Sequence, residues 1–156
     1  MQFASIGRRL SVRALACAAL VSGTVLLFPL AGVAQDGYYV RQVQSRLMNL
    51  ASRMGYEPVA DPYVSLLGRD TYDSTTYYLE AGISYLVMAT CDEDCLDLDL
   101  ELYDAEGNLL TYDDAVDPTP MVTFTPEVSG PYTVDIIMYS CSVDSCYQAV
   151  DVFVEP

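Results

Sequence analysis

Acidic residues with a regular spacing are the feature of this chain with the clearest capacity for chemistry. Four leucines alternate with three acids in the order Leu96, Asp97, Leu98, Asp99, Leu100, Glu101 and Leu102. A period of two residues predicts a half-buried β-strand, with the leucines on one face and the carboxylates on the other. Asp104, Asp113, Asp114 and Asp117 follow in the next turn and loop. The question for function is what these carboxylates face.

Calcium is the first candidate, because it takes about six to eight oxygen ligands, which carboxylates and loop carbonyls supply. A hairpin at Gly107 would fold the following loop back towards the acidic strand. We therefore expect a calcium site formed by Asp97, Asp99, Asp113, Asp114 and Asp117. The alternative is a solvated acidic face whose charges lie apart and are screened. The segment after Asp97 continues as a strand, so it is not a calcium loop of the EF-hand type.

Catalysis is a poor fit to this composition. The chain contains no histidine and no lysine, which removes the commonest general bases and the Schiff-base nucleophile. Paired acids such as Asp99 and Asp113 could hydrolyse a glycoside. However, acid pairs are abundant here by composition alone, and no tryptophan is present to stack on a sugar. We expect no catalytic residues and no enzyme activity.

The first 34 residues have the composition of a signal peptide. Arg8, Arg9 and Arg13 precede an almost wholly apolar stretch over residues 14–30, and Gly32-Val33-Ala34 supplies the small residues for cleavage before Gln35. The alternative is a single membrane anchor, since the apolar stretch is close to the lower limit for spanning. The small residues Gly32-Val33-Ala34 after the apolar stretch favour a cleaved signal peptide over an anchor. We therefore expect a protein exported to the periplasm or beyond, with no membrane span after cleavage.

The mature chain would be strongly acidic. All 22 acidic residues follow Ala34, and only four arginines remain with them, so the net charge is 4 − 22 = −18. Such a field repels phosphate backbones, which argues against nucleic acid as a partner. Cations and basic partners are the natural complements. The alternative is that the charge serves only solubility.

Four cysteines remain after the signal peptide: Cys91, Cys95, Cys141 and Cys146. In an oxidising compartment an even number predicts two disulfides. The sequence alone does not decide which cysteines pair, but we favour the local pairs Cys91–Cys95 and Cys141–Cys146, because each brackets a short polar loop. A zinc site is the competing interpretation, and the absence of histidine disfavours it.

One amphipathic helix is predicted over residues 36–55, within an N-terminal segment at 35–57. Apolar residues recur at three- and four-residue steps, namely Val40, Val43, Leu47, Leu50 and Met54. Gly55 is well placed to end the helix. Three of the four remaining arginines lie off this stripe. The helix could dock on its own domain, which we favour, or it could serve as a handle for a partner.

Residues 58–156 have the pattern of an all-β domain. About eight short strands are predicted without intervening helices, at 63–67, 75–80, 83–90, 96–103, 109–112, 121–125, 131–140 and 147–154. This spacing indicates an antiparallel β-sandwich. The segment 83–90 is mostly apolar and should be central.

Tyrosine is unusually frequent, with 13 in the chain. Tyr77 and Tyr78 should point to opposite faces of a strand, so only one can belong to the core. Burial is the default for four strand tyrosines, Tyr85, Tyr103, Tyr132 and Tyr139. Exposure is favoured for five others, Tyr38, Tyr39, Tyr63, Tyr72 and Tyr112. Exposed tyrosines beside acids suit the recognition of peptide or polysaccharide.

Several of these segments resemble the bacterial pre-peptidase C-terminal domain. The resemblance covers residues 63–154 and is strongest at Asp97-Leu98-Asp99-Leu100, the Gly107 hairpin, Asp113-Asp114 and Ser129-Gly130-x-Tyr132. It implies a jelly-roll-like β-sandwich that is usually appended to secreted enzymes and associated with substrate or matrix binding, sometimes with calcium. Unlike the usual arrangement, we expect no attached catalytic domain.

Two functions are therefore expected. The first is an exported, non-catalytic binding or accessory module for a protein or polysaccharide matrix, supported by calcium. The alternative is a structural or assembly subunit of a cell-envelope or extracellular complex, with the N-terminal helix as its interaction element.

Overall fold

The computed structural model describes residues 31–156, with side chains from residue 37 onward. The predicted signal peptide therefore lies outside the described residues except for its last four positions, whose backbone is helical. One helix and nine strands follow within the described range. Their bounds are α1 Ala31–Met54, β1 Glu57–Pro58, β2 Tyr63–Gly68, β3 Thr71–Leu79, β4 Tyr85–Cys91, β5 Cys95–Tyr103, β6 Leu109–Asp113, β7 Met121–Phe124, β8 Gly130–Cys141 and β9 Ser145–Val154.

The strands form two antiparallel sheets. The first, which we call the inner sheet, has the order β1-β9-β4-β7, with β2 also paired to β9. The second, the outer sheet, has the order β3-β8-β5-β6. Strands β2 to β9 thus form two four-stranded layers, as in an eight-stranded jelly roll, and consecutive strands change sheet except at the β5-β6 hairpin. The predicted fold class is confirmed.

The core between the two sheets is built by the alternation that the sequence predicts. Leu98, Leu100 and Leu102 of β5 are fully buried, and they belong to one apolar cluster with Val87 of β4 and Val152 of β9. On the outer sheet the intervening residues point away from this core. Its other face is therefore left for polar and functional groups.

A second apolar cluster lies on the opposite face of the inner sheet, beneath the helix. Val43, Leu47 and Ala51 pack against residues of β4 and β9 that include Leu86 and Phe153. The inner sheet is consequently covered on both faces, which explains why every residue of β4 is buried. The helix docks on its own domain, so its apolar stripe is not available to a partner in this state.

The helix starts earlier than predicted, at Ala31, and it ends as predicted. Gly55 has a φ of 88°, the left-handed conformation that terminates helices, and its N–H donates to the carbonyl of Ser52 at 3.2 Å. Within residues 31–156, no helix combines the length and apolar character that a bilayer crossing needs.

Both predicted disulfides are present, with Cα–Cα distances of 5.8 Å for Cys91–Cys95 and 6.1 Å for Cys141–Cys146. Arginines brace these loops from outside. The guanidinium of Arg46 donates to the Cys91 carbonyl at 3.0 Å, and that of Arg69 donates to the Cys141 carbonyl at 2.6 Å. The disulfide loops and the helix are thus tied to one end of the sandwich.

The start of β5 departs from the predicted alternation. Leu96 is 57% exposed rather than buried, and Asp97 is only 6% exposed rather than on the solvent face. The cause is an irregularity in the pairing of β5 with β8 on either side of Asp97, which breaks the two-residue period. The same irregularity leaves Tyr139 unpaired and 59% exposed, so the prediction that this tyrosine is buried was wrong.

Candidate functional site

An acidic pocket opens where β5 meets β6 and the loop that follows. It has a volume of about 210 Å³ and is lined by Asp99, Glu101, Tyr112, Asp113 and Asp114, with Leu100 and Leu109. Three of the five predicted calcium ligands, Asp99, Asp113 and Asp114, therefore lie around one pocket. Glu101 and Tyr112 join them because they pair across β5 and β6.

The remaining predicted ligands lie elsewhere. The Oδ1 of Asp117 accepts the Thr119 N–H at 2.7 Å, and its carbonyl accepts the Leu98 N–H at 3.0 Å. These bonds fold the loop after β6 against the start of β5. Asp97 is buried there, and its Oδ1 has no hydrogen-bond partner. Neither residue lines the pocket.

The carboxylate of Asp113 accepts hydrogen bonds from backbone N–H groups of the segment that follows β6. Its Oδ1 accepts the Ala115 N–H at 3.1 Å, and its Oδ2 accepts the Met121 N–H at 2.9 Å. Both oxygens are thus committed to shaping the connection from β6 to β7. Each oxygen keeps a second lone pair, so these bonds alone do not prevent Asp113 from binding an ion.

The donor set does not form a calcium coordination sphere as it is arranged. Across the described residues, no group of three or more acidic or cysteine side chains is placed to hold a metal ion. Asp99, Asp113 and Asp114 line the pocket, whereas Asp97 and Asp117 lie outside it. Calcium binding by these five residues stays a prediction.

Asp99 carries the clearest electrostatic signature of the pocket. Burial raises its pKa to about 6, and the negative charges of Asp97, Asp114, Asp113 and Glu101 add to the rise. An uncompensated cluster of acids therefore surrounds this carboxylate. A cationic ligand would relieve the repulsion.

The pocket continues into the solvent-facing side of the outer sheet. One row of side chains crosses all four strands in register: Ser74 of β3 pairs with Asp135 of β8, Asp135 with Glu101 of β5, and Glu101 with Tyr112 of β6. Tyr72, Tyr103 and Asp99 flank this row. We call the surface formed by Tyr72, Asp99, Glu101, Tyr103, Tyr112 and Asp135 the open face.

Neutral hydroxyl groups hold the two central carboxylates of the open face. The Ser74 hydroxyl donates to Asp135 Oδ1 at 2.6 Å, and the Tyr103 hydroxyl donates to Glu101. That bond to Glu101, with lesser effects from burial and from Asp135, raises the Tyr103 pKa to about 12. Glu101 and Asp135 thus stand opposite each other across β5 and β8 as like charges.

Tyrosines on this side of the sheet are well exposed. Tyr72 is 64% exposed, Tyr112 is 56% exposed and Tyr78, beyond the open face, is 69% exposed. Exposure of Tyr72 and Tyr112 agrees with the sequence prediction. The roles of Asp135 and Tyr103 were missed, although the alternation of Asp135 with buried Val134 and Ile136 was a usable signal.

Comparison with known proteins yields a limited likeness. No family model and no curated protein matches the chain. Among solved structures, it is similar to the pre-peptidase C-terminal domain of collagenase from Bacillus anthracis, with 18% identity and a TM-score of 0.45, over 58% of this chain and 86% of that one. The fold assignment is therefore based on the sheet topology described above, and membership of that family stays a prediction.

Proposed function

We propose that this chain is an exported, non-catalytic binding module whose open face engages a macromolecular ligand, either a protein or a polysaccharide of an extracellular matrix. The observation that carries the proposal is the contrast between the two sheets. The helix covers the inner sheet, whereas the outer sheet presents exposed tyrosines and half-buried carboxylates on its solvent side. Aromatic side chains of this kind are enriched in recognition surfaces.

The composition supports a role in binding rather than in catalysis. The chain has no histidine or lysine, and all four cysteines in the described range are paired in disulfides. The acids of the pocket are held mainly by backbone and hydroxyl donors. No nucleophile–base pair is among their hydrogen bonds.

Two features support export. The first 34 residues have the pattern of a signal peptide, and two disulfides within a small domain are typical of an oxidising compartment. Measurement of the mature N-terminus after expression in a bacterium would test this part of the proposal. A terminus at Gln35 is expected, and an intact N-terminus on cytoplasmic protein would contradict export.

The binding function is tested with the mature protein on immobilised matrix proteins and polysaccharides, including basic, neutral and acidic members. The variant Tyr72→Ala/Tyr112→Ala removes two exposed rings from the open face. Its matched control is Tyr38→Ala, which removes the 51% exposed ring of a helix residue. Binding to at least one ligand is expected, with loss in the double variant only.

Two results would contradict the proposed function. One is that none of the immobilised ligands binds to the wild-type protein. The other is that binding persists unchanged in the Tyr72→Ala/Tyr112→Ala variant, which would place the interaction elsewhere on the molecule. Circular dichroism of each variant shows whether the sheet is intact.

A further inference from the structure

We infer that the open face binds an arginine-rich polypeptide segment, through guanidinium groups placed between its carboxylates and over its tyrosine rings. The inference rests on the proposed function and specifies the ligand class for the same surface. Its basis is the charge pattern and geometry of the face.

Charge complementarity is the first argument. The open face holds three carboxylates, Asp99, Glu101 and Asp135, and no arginine or lysine lies on the strands of the outer sheet. Three of the four arginines in the described range lie on α1, against the other sheet, and Arg69 lies between β2 and β3. Within residues 31–156, no arginine therefore lies on a strand that forms this surface.

The spacing of the acids is the second argument. Glu101 and Asp135 pair directly across β5 and β8, so their side chains lie one strand spacing apart, about 5 Å. A planar guanidinium has donors on several edges and can bond two neighbouring carboxylates at once. The hydroxyl donors from Ser74 and Tyr103 hold both acids in place beforehand.

Aromatic rings beside the acids are the third argument. Tyr112 pairs with Glu101 across β5 and β6, and Tyr72 lies close enough to Tyr103 to influence its ionisation. Arginine stacks on aromatic faces as well as pairing with carboxylates, whereas a hard cation such as calcium gains little from a tyrosine ring. The mixture of rings and acids thus favours arginine.

The test measures binding of a labelled oligo-arginine peptide to the mature protein, beside oligo-lysine and oligo-glutamate peptides of equal length. We expect the order arginine, then lysine, with no binding of glutamate. The variant Glu101→Gln/Asp135→Asn should weaken arginine binding by about tenfold. The matched control Glu127→Gln/Asp144→Asn has the same net charge, changes two exposed acids elsewhere, and should alter the affinity by less than about twofold.

Three results would overturn the inference. Equal weakening in the control variant would show general attraction to an acidic protein. Equal affinity for lysine and arginine peptides, unchanged by Tyr72→Ala, would show that the rings take no part. The third result is self-association of the protein that increases with concentration and is lost in Glu101→Gln/Asp135→Asn. It would show that the open face binds arginines of a second copy of the chain.

Different experimental results would contradict the arginine-rich ligand and the proposed binding function. If the panel of matrix ligands finds a neutral or acidic partner that depends on Tyr72 and Tyr112, the binding function stands and the arginine-rich ligand is wrong. If no peptide or matrix ligand binds, both are wrong.

Discussion

Three side chains in or beside the motifs shared with the pre-peptidase C-terminal domain each stabilise a turn. They are Asp104, Asp113 and Tyr132. The carboxylate of Asp104 accepts the N–H groups of Glu106 and Asn108 at 3.0 Å and 2.8 Å, which shapes the hairpin at Gly107. The Tyr132 hydroxyl donates to the Val128 carbonyl at 2.8 Å. At these positions the resemblance reflects the requirements of the fold more directly than those of a ligand.

Replacement of Asp113 separates a structural role from a metal-binding one. Asp113→Ala leaves two backbone N–H groups without their acceptor, so we expect a loss of about 1–3 kcal/mol in the free energy of unfolding. The loss should be the same in chelator and in millimolar calcium, as measured by chemical denaturation. Glu127→Ala, which removes an exposed acid that does not line this pocket, is the control. A loss seen only in calcium would identify Asp113 as a ligand.

Asp151 is a buried acid with one oxygen unsatisfied. Its Oδ1 accepts the Val152 N–H at 2.7 Å, whereas its Oδ2 has no partner. Burial raises its pKa to about 7, the Val152 bond partly offsets this, and the charge of Asp61 adds to it. Ionisation of this carboxyl therefore costs more free energy in the folded state than in the unfolded state.

Asp151→Asn should consequently stabilise the protein at every pH at which the carboxyl of the unfolded chain is ionised, and most at the pH where both states are ionised. We expect the melting temperature of the variant to exceed that of the wild type by a few degrees near about pH 8. The advantage should shrink as the pH falls and vanish at about pH 3, below the ordinary carboxyl pKa of 3.8, because the wild-type residue is then neutral in both the folded and the unfolded state. Glu155→Gln, an exposed acid at the end of the same sheet, serves as the control. An equal shift at both pH values would contradict the ionisation argument.

At the scale of elements, the helix and the inner sheet depend on each other. Leu47 of the helix is fully buried, and it belongs to the apolar cluster that includes Leu86 and Phe153 of the inner sheet. Hydrogen bonds from Gln42 to Glu93 at 3.1 Å and from Arg46 to the Cys91 carbonyl fix the helix over the first disulfide loop. The helix is thus part of the folded domain rather than a separate appendage.

Leu47→Ala should destabilise the whole domain by about 2–5 kcal/mol, because it leaves a cavity between helix and sheet. Denaturant unfolding followed by circular dichroism would measure this. Ser52→Ala, on the exposed side of the same helix, should change stability by less than about 0.5 kcal/mol. A wild-type-like midpoint for Leu47→Ala would show that the docking contributes little.

The strands illustrate what the sequence could and could not predict. The central position of β4, the Gly107 hairpin and the local disulfides followed from runs of apolar residues, turn chemistry and short spacings. The bulge near Asp97 did not, because it depends on how β5 pairs with β8, some 40 residues away in the chain. The row that joins Asp135 to Glu101 was missed for the same reason, since register between distant strands leaves no mark in either strand alone.

At the scale of the whole molecule, the negative charge of the many acidic residues opposes folding. Burial is the main cause of raised pKa values at Asp92, Asp99 and Asp151, so the folded state takes up protons there at a higher pH than the unfolded state does. The free energy of unfolding should therefore increase as the pH falls from about 8 to about 5. At Asp73 and Asp104, where hydrogen bonds lower the pKa, stabilisation is lost only on further acidification below the usual carboxyl range.

Thermal melting across this pH range and with added salt would check the expectation. We predict a maximum melting temperature at about pH 4–5, and a rise with added sodium chloride near about pH 8, because screening weakens the mutual repulsion of the acids. A maximum near neutrality with no effect of salt would show that the charges are already compensated.

The order of the layers has a consequence for how the protein meets a partner. Arg41, Arg46 and Arg53 lie on the helix, and the carboxylates of the open face lie on the far side of the outer sheet. Three of the four arginines after Ala34 thus lie at the helix end of the stack, whereas the open face carries carboxylates alone, so charge is distributed unevenly along the stack. A basic partner at long range would turn the molecule before touching it, so that successful encounters would be selected by orientation as well as by collision.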